Sequence, residues 1–133
     1  MRQQFTLELD PPTTTHQMKK VRVVKGHPQF YEPAELKKAR ATYMEALKEF
    51  APLRPYEGPI KLATYWYFST KSHKGNTWKT TAPDTDNIVK LLKDCMTESG
   101  YWKNDALVCC EHIEKRWTKG DGFINIYIEE IFE

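Results

Sequence analysis

Ile60-Lys61-Leu62-Ala63-Thr64-Tyr65-Trp66-Tyr67-Phe68 sets Ile60, Leu62, Thr64, Trp66 and Phe68 on one side of an extended chain and Lys61, Ala63, Tyr65 and Tyr67 on the other. A run this rich in aromatic residues, with apolar groups on both sides, predicts a strand buried on both faces. Upstream, Gly58-Pro59 separates it from a helical pattern that starts at Pro33, a favoured first-turn residue. There Leu36, Ala39, Tyr43, Leu47 and Phe50 keep helical spacing until Pro52 and Pro55 close the segment. Further upstream, Val21, Val23 and Val24, then Phe30-Tyr31 beyond Gly26-His27-Pro28, predict two short extended pieces around a turn. Residues 3–9 alternate, with Phe5, Leu7 and Leu9 on one face, and Pro11-Pro12 ends that strand.

Downstream of the aromatic strand, residues 69–82 are rich in Ser, Thr, Lys, Gly and Asn and lack periodicity, which predicts a long loop of the kind that carries function. A second helix starts at Asp84, with Ile88, Leu91, Leu92, Cys95 and Met96 on one stripe, and Gly100 ends it. Leu107–Trp117 and Phe123–Ile128 alternate as two strands, and the Thr118-Lys119-Gly120-Asp121-Gly122 connection predicts a hairpin between them. The order β(ββ)αβαββ implies an α+β fold: two helices packed on one mixed sheet, in a single two-layer domain covering residues 1–133.

Composition agrees. The chain has 133 residues, 40% of them apolar and 29% charged, a size that suits one domain with a real core. No apolar run approaches the roughly 20 residues of a membrane span. Met1-Arg2-Gln3-Gln4-Phe5 has no signal-peptide character, so a cytoplasmic location is expected. Cys95, Cys109 and Cys110 are odd in number and form no Cys-x-x-Cys pair, which predicts reduced core thiols rather than disulfides or a zinc site. The net charge of +2 conceals an asymmetry: residues 13–82 hold 13 Lys/Arg against five acids, and the remainder is acidic. A basic tract beside an acidic one suits a protein that attracts a polyanion and keeps a carboxylate cluster for another purpose.

The chemistry-bearing stretch is Asp84-Thr85-Asp86-Asn87, directly after Pro83. Carboxylates at a helix N-terminus are favoured by the dipole and can cap free N–H groups, so Asp-x-Asp alone is explained by capping. A third acid, Asp105, follows 21 positions after Asp84, in Trp102-Lys103-Asn104-Asp105. Three short carboxylates at such junctions are a usual way to hold a hard divalent cation such as Mg²⁺, and convergence of Asp84, Asp86 and Asp105 on one ion is expected. Asp86, Lys90 and Asp94 share a polar helix face, where Lys90 is either half of an i,i+4 pair or a cation that meets a phosphate oxygen.

Pro83-Asp84-x-Asp86-Asn87-x-x-Lys90-x-x-x-Asp94, followed by Tyr101-Trp102-x-Asn104-Asp105-Ala106-x-Val108, resembles the signature of the RusA family of Holliday junction resolvases. The opening Leu7-Glu8-Leu9-Asp10-Pro11-Pro12-Thr13 is similar to that family's first strand. The resemblance implies a homodimeric, Mg²⁺-dependent endonuclease of phage or prophage type that makes paired incisions in four-way DNA junctions during recombination and repair. It implies Asp84, Asp86 and Asp105 as catalytic metal-binding carboxylates and Lys90 as the catalytic lysine. Asn104 departs from the pattern, standing where many members have Asp. In such a site the cation lowers the pKa of a water and neutralises non-bridging oxygens, while Lys90 adds a fixed charge to the transition state.

Lys19, Lys20, Arg22 and Lys25, with Lys71, Lys74 and Lys79 of the loop, are candidate phosphate contacts, and Trp78 or Tyr31 are candidate stacking groups. Trp66, Tyr65, Tyr67 and Phe68 are assigned to sheet or dimer packing. His16, His27, His73 and His112 lack ligand spacing. Two other classes compete with the nuclease: a branched-DNA-binding protein that does not cut, and a structural homodimer. The first leaves the acids and Lys90 without a task, and the second leaves the basic tract without one.

Overall fold

The computed structural model describes residues 1–13, 20–24, 26–31 and 33–132. The chain runs β1 (Arg2–Leu7), β2 (Lys20–Val24), β3 (His27–Tyr31), α1 (Ala34–Lys48), β4 (Ile60–Ser69), α2 (Thr85–Glu98), β5 (Val108–Thr118) and β6 (Phe123–Glu130). The main sheet is mixed and four-stranded, ordered β1-β6-β4-β5, and β2 and β3 pair antiparallel in a separate ladder. Two helices with a mixed sheet make the α+β fold that the element order implies. Among the described residues no helix is long and apolar enough to cross a membrane.

β4 takes a central place because both of its edges are paired, with β5 in parallel and with β6 antiparallel. Ile60, Leu62, Thr64, Trp66 and Phe68 are buried on the face that meets the helices. The opposite face is less covered than the sequence predicts: Tyr65 and Tyr67 are only half-buried, and Tyr67 stacks on Phe123 with ring centroids 4.4 Å apart. In a two-layer fold the aromatic rings shield one another there, without a third layer above them.

The predicted hairpin between the last two strands does not form. β5 and β6 lie on opposite sides of β4, so residues 119–122 cross the end of that strand instead of folding the two together. Turn residues and alternation record that two strands are joined, but not that a third, more apolar strand takes an edge of each. Gly122 makes the crossing possible. A Cβ there would stand 2.6 Å from Asp10 Oδ1, 2.8 Å from Pro11 Cδ and 2.9 Å from the Tyr67 carbonyl oxygen. Its N–H donates to Asp10 Oδ1 at 2.9 Å.

Because β4 and β5 are parallel, the chain between them has to run back to the end of the sheet where β4 begins, and α2 is that return. The helix ends in an αL glycine cap: Gly100 has φ +87°, its N–H donates to the Thr97 carbonyl, and the Tyr101 N–H reaches back to Met96. Tyr101 and Trp102 are fully buried and fasten this end. The Tyr101 hydroxyl donates to the Leu47 carbonyl in α1 at 2.6 Å, and Trp102 Nε1 donates to Thr97 Oγ1 at 2.7 Å. One core joins β1, α1, β4, α2 and β6. Cys95 belongs to it, but Cys109 and Cys110 are exposed. They stand at the start of the edge strand β5, so the expectation of core thiols holds for one cysteine of three.

Candidate active site

Asp84 occupies the N-cap position of α2 with extended backbone, and its carbonyl accepts the Ile88 N–H at 2.9 Å. Its carboxylate makes no capping bond. Capping therefore does not account for this acid. Asp86 follows in the first turn, both side chains are exposed, and neither is hydrogen-bonded or ion-paired to another described residue. Lys90, one turn further on, is also exposed, and the i,i+4 ion pair its spacing allows with Asp86 is not made. Two carboxylates at the start of α2 and one ammonium a turn beyond Asp86 thus stand exposed, with no partner among the described residues.

Asp105 does not join them. It opens the 3-10 turn Asp105–Leu107 beyond the C-terminal end of α2. The β5 register shows the separation: Glu111 meets Lys93 in mid-helix at 3.2 Å, and Lys115 Nζ reaches the Pro83 carbonyl at the helix start at 2.7 Å. The strand therefore runs antiparallel to α2, and Asp105 precedes it at the far end. At about 1.5 Å per residue, the 14 residues of α2 place about 21 Å between the two ends. Within one chain the three carboxylates cannot share a hydrated ion. Among the described residues no three His, Cys, Asp or Glu side chains form a group that could hold a metal. The two unpaired carboxylates of Asp84 and Asp86 are hard oxygen donors of the type Mg²⁺ takes while keeping several waters, so the start of α2 fits such an ion in part. Asn104 has a local task, its side chain accepting the Ala106 N–H at 2.8 Å and capping the 3-10 turn. A hollow of about 350 Å³ beside it is lined by Pro55, Tyr56, Glu57, Lys103, Asn104 and Leu107.

The candidate phosphate contacts divide. Lys71 and Lys74 are exposed in the loop before α2 and remain available. Lys79 is not available: it is 7% exposed, and its ammonium donates to Thr81 Oγ1 and the Ala82 carbonyl, both at 2.6 Å. It also lies over the Trp117 ring, 4.5 Å from the centroid. Burial, and next the nearby Lys115 ammonium, hold its pKa below the ordinary lysine value. The expectation that Lys79 tracks phosphates is corrected accordingly. Short-range sequence reading counts a lysine as solvated, but here the stem is enclosed by aromatic rings. Lys19, Lys25 and His16 lie outside the described residues, as do the side chains of Lys20, Arg22 and Tyr31.

Trp78 is 58% exposed, with the Arg116 guanidinium 3.7 Å from its ring centroid. His73 stacks on Trp117, and His112 bonds Glu114 at 2.6 Å, so neither histidine behaves as a ligand. The His112 hydrogen bond, with Arg116 on the other carboxylate oxygen, holds the Glu114 carboxyl below the usual carboxylate range. Arg116 and Lys115 are two cations near the loop that sequence reading passes over. Both sit inside an alternating strand, where no spacing signal distinguishes them from ordinary edge-strand charges.

Residues 10–129 match the family described as Endodeoxyribonuclease RusA. The crossover junction endodeoxyribonuclease rusA of Lactococcus phage r1t is 35% identical over 115 residues, covering 81% of this chain and 83% of that protein.

Proposed function

The chain belongs to the RusA endodeoxyribonuclease family, and we propose that it cuts four-way DNA junctions as a two-fold dimer, hydrolysing one phosphodiester bond at each of two symmetric sites. The observation that carries this reading is the start of α2, where Asp84, Asp86 and Lys90 stand exposed without partners among the described residues. Left alone, two neighbouring carboxylates repel each other and would be stabilised by any compensating charge.

Each site is completed across the dimer. Since α2 separates Asp105 from Asp84 and Asp86, a second copy related by a two-fold axis can bring its own Asp105 to the pair. A junction with two-fold symmetry is matched by a protein with two equivalent centres. Mg²⁺, when bound by these carboxylates, would neutralise phosphate charge and acidify a water.

The protein's own groups do the rest. Lys90 places an ammonium one helical turn from Asp86, where it can meet a non-bridging phosphate oxygen as negative charge develops. Lys71 and Lys74 in the preceding loop contact the DNA backbone on the approach to the site, and Lys19, Lys20 and Arg22 are further candidate phosphate contacts on the sequence alone. Such an enzyme works in the cytoplasm, where the replicating DNA is.

Incubation with a labelled four-way junction and a linear duplex of the same sequence, with and without Mg²⁺, tests the reading. Paired nicks confined to the junction and dependent on Mg²⁺ are expected. Binding of the junction with no incision at any divalent metal concentration overturns it.

A further inference from the structure

Lys79 and Lys115 are two ammonium groups brought together around neutral oxygens. Lys115 Nζ donates to the Thr81 carbonyl at 2.8 Å and the Pro83 carbonyl at 2.7 Å. From the other side Lys79 Nζ donates to Thr81 Oγ1 and the Ala82 carbonyl at 2.6 Å, with the Thr81 carbonyl at 3.4 Å. Neither lysine is ion-paired with a carboxylate among the described residues. Two like charges sharing one carbonyl repel, and burying one of them adds a desolvation cost. A pair of neutral side chains would fill the space without either penalty. What the pair supplies is charge-assisted hydrogen bonding to three consecutive carbonyls that no helix or strand ladder satisfies.

Those three residues are the last before Asp84. We infer that Lys79 and Lys115 are positioning residues for the proposed nuclease site: together they clamp Thr81, Ala82 and Pro83 and thereby set where Asp84 and Asp86 stand at the start of α2. The clamp reaches the site from β5, and it is reinforced where the Lys79 N–H bonds the Lys115 carbonyl at 3.0 Å. The loop before a helix is free to move unless its backbone groups are tied. Here the ties come from a strand of the sheet, so the carboxylates are referred to the rigid part of the fold rather than to a surface loop. The inference rests on the proposed reading of Asp84 and Asp86 for its functional half and on geometry alone for its structural half.

The test compares wild type with Lys115→Met, which keeps the stem and drops the ammonium, and Lys115→Arg, which restores a donor able to reach two carbonyls. Lys79→Met serves as a second variant. Amide exchange is read at Ile88, whose N–H bonds the Asp84 carbonyl, and at Leu92 as an internal control. Single-turnover cleavage of a four-way junction at saturating Mg²⁺, junction affinity in EDTA, and melting temperature are measured on the same proteins.

For Lys115→Met, exchange at Ile88 is expected to rise at least about tenfold with Leu92 unchanged, and cleavage to slow at least about tenfold. Junction affinity in EDTA should stay within about threefold of wild type, and Lys115→Arg should recover most of both losses. Unchanged exchange at Ile88 overturns the clamp. Faster exchange with an unaltered cleavage rate overturns the positioning role, and so does a fall in affinity that accounts for the whole rate loss, because that is the signature of a direct phosphate contact. A wild-type protein that cuts no junction defeats the proposed function, while the exchange comparison still decides the clamp.

Discussion

Asp84 and Asp105 stand at opposite ends of α2, with 14 helical residues between them. Two carboxylates so placed cannot meet one ion inside a protomer, but they can meet across a two-fold axis. Mixing distinguishes the arrangements. Asp84→Asn and Asp105→Asn should each be inactive alone as homodimers, whereas a mixed dimer of the two keeps one wholly native site when sites are shared between protomers. Co-refolded variants should then nick junctions on one strand. No recovery after verified subunit exchange would mean that each site draws on one chain only.

Asp86→Asn should abolish cutting and leave junction binding unchanged or tighter. The side chain is exposed and not bonded to another described residue, so its loss costs the fold little, while removal of a negative charge facing phosphates lowers repulsion. A gel-shift in EDTA beside a cleavage assay reads both halves, and a melting curve guards against misfolding. Weakened binding would reassign Asp86 to a structural role.

Gly122→Ala should lower stability by about 1–3 kcal/mol, because the new methyl meets the Tyr67 backbone oxygen and the Pro11 ring as well as the Asp10 carboxylate. Only the carboxylate can turn away. A Cβ at Gly120 meets nothing within 4 Å, which makes Gly120→Ala a matched control expected to be near neutral. Denaturant midpoints for the two variants that differ by less than the error of the measurement would contradict the account of the crossing.

Period and punctuation in the sequence locate the helices well. Leu36, Tyr43 and Leu47 in α1, and Ile88, Leu91, Leu92, Cys95 and Met96 in α2, are all buried where their spacing sets them, and Gly100 ends α2 as a left-handed cap. Strand partners are less legible. The alternation of β5 and β6 is satisfied equally by a hairpin and by two strands flanking β4, and only tertiary competition for the β4 edges decides between them. The candidate site shows the same division. Asp84, Asp86 and Lys90 are near neighbours in sequence at the start of one helix, so their common exposure there is a local matter. The position of Asp105 depends on the direction of β5 against α2, which no local pattern contains. Lys79 and Lys115 lie beyond reach for the same reason, since two side chains that share the Thr81 carbonyl stand 36 positions apart, across helix, turn and strand.

Lys90 allows a decision between packing and chemistry because its ammonium is not paired with another described residue. With no ion pair to lose, Lys90→Ala should leave the melting temperature within about a degree of wild type, since exposed helix positions favour alanine as much as lysine. If the ammonium meets the scissile phosphate as charge develops, single-turnover cleavage should fall by roughly a hundredfold or more, with junction affinity in EDTA reduced far less. Lys90→Arg is the informative companion. A planar guanidinium keeps the charge but spreads it over a fork too broad for the place of a compact ammonium, so only partial recovery is expected. A Lys90→Ala rate within about threefold of wild type would remove this residue from the chemistry and leave the carboxylates to carry it.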